Sequence, residues 1–417
     1  MDKIKIKGNA NLFGSIDIPG SKNSSLPILV SSLLSKNNLN LTNLPKLNDI
    51  HSMLNLLKNF GVKINKKNSI VTLNAKNIKN NIADYDLVRK MRASILVLGP
   101  LLCRFKKAKI SLPGGCAIGN RPIDIHLDGL NKLGVKFQIE NGFVYGEIIN
   151  KLIGSTINLS FPSVGATENI MMAATLAEGN STINNVAKEP EIIDLANCLS
   201  SMGAKIYGAG TKTIKIEGVK CLNESTHNIM FDRIVAGTYI IAAVMLNKEF
   251  IINNVNSHYI HSLIKILKSM GSNLKINKNQ IIILPSKRIV GASIKTAPYP
   301  GFPTDLQAQI MALMSLANGP SQITEKIFEN RFMHISELNR LGANIKIKKD
   351  TAYIEGGRKF KGAQVMASDL RASVSLVLAG LCAQGDTVIN RVYHLDRGYE
   401  KIEKTLGKCG PIIIREK

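Results

Sequence analysis

The residues best suited to chemistry lie in Leu112-Pro113-Gly114-Gly115-Cys116-Ala117-Ile118-Gly119-Asn120-Arg121-Pro122-Ile123-Asp124-Ile125-His126. A thiol stands among three glycines, which let backbone N–H groups approach a ligand without side-chain obstruction. Five residues on, the Arg121 guanidinium favours the thiolate and can hold an anionic substrate beside it. The same stretch also fits a surface turn around a buried small residue, the usual fate of a free cysteine. Local spacing alone does not separate the two readings.

A reactive thiol needs a scaffold, and this one is periodic. An apolar residue followed by glycine recurs at Phe60-Gly61, Leu133-Gly134, Met202-Gly203, Met270-Gly271, Leu341-Gly342 and Cys409-Gly410, at intervals of 68 to 73 residues. Glycine just past a helix end is the usual left-handed cap. The preceding segments have helical spacing (Ile123, Leu127, Leu130, Leu133; Phe332, Ile335, Leu338, Leu341), and alternating strands such as 344–348 follow. Each repeat also holds a second, mostly apolar helix, expected at 21–35, 87–103, 163–178, 232–248, 304–318 and 368–384. A helix that is apolar on nearly every side belongs inside a domain. Three repeats can pack three such helices within a ring of sheets, so six repeats make two globular α/β domains, not a short-period solenoid.

Polar residues on these helices gather at their N-terminal ends: Lys22 and Asn23; Arg89 and Arg92; Ser163, Gly165 and Thr167; Asp232 and Arg233; Thr304 and Asp305; Asp369 and Arg371. Ordinary capping accounts for Ser163, Thr304 and Asp369. It does not account for Lys22, Arg92, Arg233 and Arg371, because cations oppose the helix dipole there. Their placement points to a strongly anionic ligand in a cleft where several helix ends converge.

Composition narrows the function classes. At 417 residues the chain exceeds one ordinary core, and 45% hydrophobic with 20% charged residues is globular. The first seven residues alternate charged and apolar without a signal-peptide core. Apolar runs such as 93–103 fall short of the ~20 residues that span a bilayer, so a cytoplasmic protein with no membrane partner is expected. Six cysteines without paired or metal-type spacing fit a reducing compartment. The net charge of +24 raises nucleic-acid binding. That partner is not expected, because the lysines are scattered, aromatics are 5% and tryptophan is absent. Only 13 of the 54 cations are arginines, so the arginines are the more telling positions. Gly114-x4-Gly119 has P-loop glycine spacing, but Asn120-Arg121 replaces the required Lys-Ser/Thr. No histidine pattern calls for a metal, and no cofactor is expected.

The chain resembles the UDP-N-acetylglucosamine 1-carboxyvinyltransferase family of enolpyruvyl transferases along essentially its whole length. The matching stretches are Pro19-Gly20-Ser21-Lys22-Asn23, Val88-Arg89-Lys90-Met91-Arg92-Ala93-Ser94, 112–126, Ser163-Val164-Gly165-Ala166-Thr167 and Glu189-Pro190-Glu191-Ile192. They continue with Pro303-Thr304-Asp305-Leu306-Gln307, Phe328-Glu329-Asn330-Arg331-Phe332, Ser368-Asp369-Leu370-Arg371-Ala372 and Asp396-Arg397-Gly398-Tyr399-Glu400. The resemblance implies two inside-out α/β barrel domains, each of three repeated units with central helices surrounded by sheets. Its first strand goes with the C-terminal half, giving 1–21 plus 231–417 and, separately, 22–230.

The implied reaction moves the enolpyruvyl group of phosphoenolpyruvate to the 3′-hydroxyl of UDP-N-acetylglucosamine and releases phosphate, opening peptidoglycan synthesis. By the same resemblance, Lys22, Arg121, Arg371 and Arg397 contact phosphoenolpyruvate, with Arg331 nearby and Asn23 and Arg92 beside the substrates. Arg121, Pro122, Ile123, Asp124 and Ile125, then Phe161, Pro162, Ser163 and Val164, and finally Ile327 line the nucleotide sugar. Asp305 takes the hydroxyl proton, Asp369 supports the site, and Lys22 and Arg397 share in catalysis. Cys116 protonates the substrate and can form a phospholactoyl adduct; acid, adduct former and product-release roles stay open. The epoxide fosfomycin should alkylate it. Departures are Phe161-Pro162, where some members have Lys-Val, and Cys409-Gly410-Pro411 in place of Leu-Gly-Ala. The nearest rival is the shikimate-pathway sister enzyme, which lacks the Gly-Gly-Cys loop. A monomer or weak oligomer is expected.

Overall fold

The computed structural model describes residues 2–89, 91–112 and 123–416. Five of the six repeat glycines lie one residue past the C-cap of their helix and Gly410 lies two past its cap Lys408, all with φ between +94° and +111°. At the first of them, Gly61 N–H donates to Lys58 O (2.9 Å) and Val62 N–H to Leu57 O (3.1 Å). This double closure satisfies carbonyls that the helix end leaves open and turns the chain into the next strand. The same 6→1 bond recurs from Ala204 to Leu199, Ser272 to Leu267 and Ala343 to Leu338.

The described residues form six four-stranded sheets of one design. In each, one edge pair is parallel and the other two pairs are antiparallel. Ser293–Lys295, Ser321–Thr324, Thr351–Ile354 and Ile345–Lys348 show the pattern in spatial order. Three sheets are completed by distant strands, among them the one in which Ser15–Asp17 runs parallel to Phe250–Asn253. Lys3–Ile6 lies antiparallel between Thr387–Asn390 and Ile413–Glu416, and Ser225–Asn228 runs parallel to Asn38–Thr42.

The chain divides into two compact units. The C-terminal unit comprises 2–19 and 231–416; the N-terminal unit comprises 20–112 and 123–230. Each holds three sheets and its own apolar core. The central helices of the N-terminal unit are Lys22–Ser31, Leu98–Phe105 and Val164–Ala174. Those of the C-terminal unit are Arg233–Leu246, Gln307–Leu316 and Leu370–Cys382. Every residue from Arg233 to Met245 and from Leu370 to Leu381 is buried, as helices apolar all round require. Among the described residues no helix is long and apolar enough to cross a membrane.

One expected helix is broken. The 87–103 span is a single turn at Tyr85–Val88, a 3-10 segment Arg92–Val97 and an α-helix from Leu98. Pro100 has no N–H, and in the first turn of the α-helix that starts at Leu98 its missing donor costs no helical bond. Asn169 of a neighbouring central helix bridges the break. Its Oδ1 accepts from Gly99 N (2.9 Å) and its Nδ2 donates to Ile95 O (3.1 Å), replacing the i→i−4 bond between those groups.

Candidate active site

In the C-terminal unit the expected residues meet at Asp305. It sits in the 3-10 turn Thr304–Leu306 that leads into the Gln307 helix. Its Oδ1 accepts from Arg331 Nη2 and its Oδ2 from Arg371 Nη2, both at 2.8 Å. Both carboxylate oxygens of Asp305 thus serve arginines. The expected capping role of Thr304 is corrected: Pro303 holds the cap position, and the Thr304 hydroxyl donates to Glu325 Oε2 (2.8 Å).

Asp369 does cap its helix, accepting from the amides of Arg371 (2.8 Å) and Ala372 (3.1 Å). It thereby fixes the backbone from which Arg371 reaches Asp305. Burial is the largest single influence on Arg371 and works against its charge, but Asp305, Tyr399 and Asp232 together outweigh burial and hold the guanidinium firmly protonated. Arg331 is 6% exposed and lies over the Phe328 ring at 5.5 Å. Behind this cluster the Tyr399 hydroxyl pairs with Thr238 Oγ1 (2.8 Å), while Gln309 Nε2 donates to Thr238 Oγ1 (3.1 Å) and Asp305 O (3.0 Å). Arg397 ends the 3-10 segment Val392–Arg397 and is half-buried. The residue before it, Asp396, is gripped by Arg415 through two bonds of 3.0 and 2.6 Å. Arg233, also buried, stacks on Tyr299 at 5.7 Å.

In the N-terminal unit Lys22 opens its helix, with Ser21 as the cap accepting from Ser24 N (3.2 Å). Lys22 Nζ reaches Asp49 Oδ2 at 3.4 Å, and both side chains are buried. Ser24 donates to Asp194, which also binds His227 Nε2 (2.9 Å) and Met230 N (3.2 Å). These bonds anchor the helix start that carries Lys22 and the half-buried Asn23. Arg92 begins its 3-10 segment, half-buried. Burial, and secondarily the Arg92 charge, push His126 down to about 4, so the imidazole beside Asn169 is neutral.

Of the nucleotide-sugar residues, Ile123 is buried, Ile125 half-buried and Asp124 exposed at the start of helix Asp124–Lys132. Phe161 is 45% exposed, and Pro162, Ser163 and Val164 are half-buried. Ser163 caps its helix through Ala166 N (3.3 Å). Ile327, in the C-terminal unit, is half-buried. Cys116, Arg121 and Pro122 lie outside the described residues.

Three acidic partners escaped the sequence reading: Asp49, Asp194 and Glu325. Each has at least one partner twenty or more residues away in sequence: Lys22 for Asp49, Ser24 for Asp194 and Thr304 for Glu325. Burial likewise raises the thiols of Cys103, Cys198 and Cys382 to about 12, which makes them inert. Among the described residues no group of three or more His, Cys, Asp or Glu could hold a metal ion.

The family described as EPSP synthase (3-phosphoshikimate 1-carboxyvinyltransferase) matches residues 6–406. A protein of Pelagibacter ubique called UDP-N-acetylglucosamine 1-carboxyvinyltransferase is 54% identical over 417 residues, covering both chains fully. One of the same name from Desulfovibrio desulfuricans is 51% identical over 418 residues, again covering both chains fully. Among solved structures, the enolpyruvyl transferase NikO of Streptomyces tendae has a TM-score of 0.91 at 23% identity, over 99% of this chain and 98% of its own. EPSP synthase of Acinetobacter baumannii has a TM-score of 0.78 at 18% identity over the full length of both chains. At such identities the structures speak for the fold, and the close relatives speak for the branch. The chain belongs to the UDP-N-acetylglucosamine 1-carboxyvinyltransferase family of enolpyruvyl transferases.

Proposed function

We propose that the protein transfers the enolpyruvyl group of phosphoenolpyruvate to the 3′-hydroxyl of UDP-N-acetylglucosamine, releasing phosphate. The observation that carries this reading is a carboxylate, Asp305, held by two arginines at 2.8 Å beside the start of a central helix. A guanidinium has five N–H donors, so Arg331 and Arg371 can hold Asp305 and an oxyanion of phosphoenolpyruvate together. The same two charges keep Asp305 ionised, and as a base it then depends on position more than on a raised pKa.

The bonds balance in two stages. The thiol of Cys116 gives a proton to the methylene carbon of phosphoenolpyruvate, which becomes a methyl group. The neighbouring carbon takes the sugar oxygen, whose proton passes to Asp305. The tetrahedral adduct then gives a methyl proton back to the Cys116 thiolate and expels phosphate, which leaves with the proton held by Asp305, restoring the vinyl group on the sugar and both residues. Lys22, Asn23, Arg121 and Arg397 bind the phosphate and carboxylate, while Arg92, Ile123, Asp124, Ile125, the 161–164 segment and Ile327 hold the nucleotide sugar. The close relatives carry the name of this reaction. Its setting is the cytoplasm, with the protein a monomer or weak oligomer.

Phosphate release tests the proposal. It should require phosphoenolpyruvate and UDP-N-acetylglucosamine together. Turnover with shikimate 3-phosphate as acceptor would replace this reading with that of the sister enzyme whose description matches residues 6–406.

A further inference from the structure

We propose that Glu325 is a positioning residue that sets Asp305 and the nucleotide-sugar loop at once. The inference rests on the enolpyruvyl-transfer reading and deepens it. Glu325 is 5% exposed at the end of strand Ser321–Thr324, and its two oxygens serve two different segments. Oε2 accepts from Thr304 Oγ1 at 2.8 Å, pinning the turn whose next residue is Asp305. Oε1 accepts from Ile327 N (2.8 Å), Phe328 N (3.3 Å) and Thr296 Oγ1 (2.8 Å). Thr296 in turn accepts from Lys326 N (2.8 Å), closing the loop start on both sides.

That loop runs on to Arg331, which returns to Asp305 Oδ1 at 2.8 Å. Asp305 is therefore placed from two directions, and both routes pass through one carboxylate. A buried group with four bonds of this kind leaves donors stranded when it is removed. A shift of about 1 Å at a reacting group costs on the order of 100-fold in rate. Glu325 touches neither substrate nor reacting atom in this account; it acts through Asp305 and Ile327.

The two oxygens allow their roles to be separated in the full-length protein. Thr304→Val cuts only the bond to the base turn, so kcat should fall by about tenfold while UDP-N-acetylglucosamine affinity changes by less than about threefold. Glu325→Ala frees both segments, so kcat should fall by about 100-fold and nucleotide-sugar affinity should drop as well. Glu325→Gln should recover most of both, because its amide oxygen keeps the backbone N–H bonds and its NH2 can donate to the Thr304 hydroxyl, which also accepts. Adding Thr304→Val to Glu325→Ala should cost little more, since both act through one bond.

Steady-state kinetics with both substrates, calorimetric binding of UDP-N-acetylglucosamine and melting curves read all four variants. The split between kcat and affinity, with rescue by Gln, supports the assignment. Unchanged kcat in folded Glu325→Ala, or equal damage from Glu325→Gln and Glu325→Ala, overturns it. Should Glu325→Ala fail to fold, Thr304→Val decides: unchanged kcat overturns the assignment. An inactive wild-type chain would overturn the transferase reading and this inference with it, whereas an active chain indifferent to these changes overturns only the latter.

Discussion

The two units place cations at the starts of buried helices but manage the charge differently. In the C-terminal unit Arg331 and Arg371 converge on one carboxylate, Asp305, at 2.8 Å each. In the N-terminal unit Lys22 leans on Asp49 at a looser 3.4 Å, and Arg92 stands near a histidine kept neutral. The same scaffold thus presents a carboxylate clamped by two arginines in one set of repeats and a looser lysine–carboxylate pair in the other. What differs is the residue supplied from outside the helix. Asp305 comes from the turn just before its helix, whereas Asp49 begins the separate helix Asn48–Asn59.

Removing the base should have the largest effect. Asp305→Asn should lower kcat by about 10²–10⁴-fold, the usual range for a lost acid–base group, with nucleotide-sugar binding largely kept. Phosphate-release kinetics beside calorimetry read this directly. Cys116→Ala should match it, leaving nucleotide-sugar binding largely intact and ending alkylation by fosfomycin at that position.

Next come the cations, where the comparison can be broken. Arg371→Lys removes the planar fork and loosens Asp305, so kcat and the KM for phosphoenolpyruvate should both worsen, together by about 10–100-fold. Lys22→Met should act mainly on that KM, since Asp49 is not the base. Identical kinetic signatures for the two variants would erase the distinction between the units.

A smaller effect concerns stability of the N-terminal unit alone. Asn169→Leu strands Gly99 N–H and Ile95 C=O beside Pro100, which should cost about 1–3 kcal/mol in urea unfolding with kcat nearly untouched.

Smallest near neutrality is the pH effect, which should be shared. His126 in one unit and His334 in the other are both pushed down to about 4 by burial. Unfolded histidines titrate near ~6.5, so between those values the unfolded chain binds more protons. The stability these two residues contribute is complete above about 6.5 and is lost as pH falls toward 4. Replacing either with Gln should flatten the urea midpoint over that window; an unchanged slope for one variant would show that its unit lacks the buried neutral imidazole.

The repeat was legible because its signal is local. A glycine at positive φ just past each helix needs no distant partner, and the apolar central helices announce their burial along their whole length. The break before Leu98 was not, because Pro100 marks the place but Asn169, supplied by another helix, repairs it. Thr304 looked like a cap for the same reason: residue type favours capping, and only the fold shows Glu325 claiming the hydroxyl. Arg331, Arg371 and Asp305 could be named from their motifs, yet their convergence on one carboxylate appears only in three dimensions. Asp49 and Asp194 carried no motif at all, and each acts on the Lys22 helix from a distant helix.

The central claim is addition followed by elimination, with the methylene carbon of phosphoenolpyruvate passing through a methyl group. Running the reaction in D2O and analysing the product by mass spectrometry and NMR tests it most directly. The account predicts deuterium in the vinyl group of the enolpyruvyl product, and its loss together with turnover in Cys116→Ala. A product formed by the wild-type protein with a fully protiated vinyl group would contradict it.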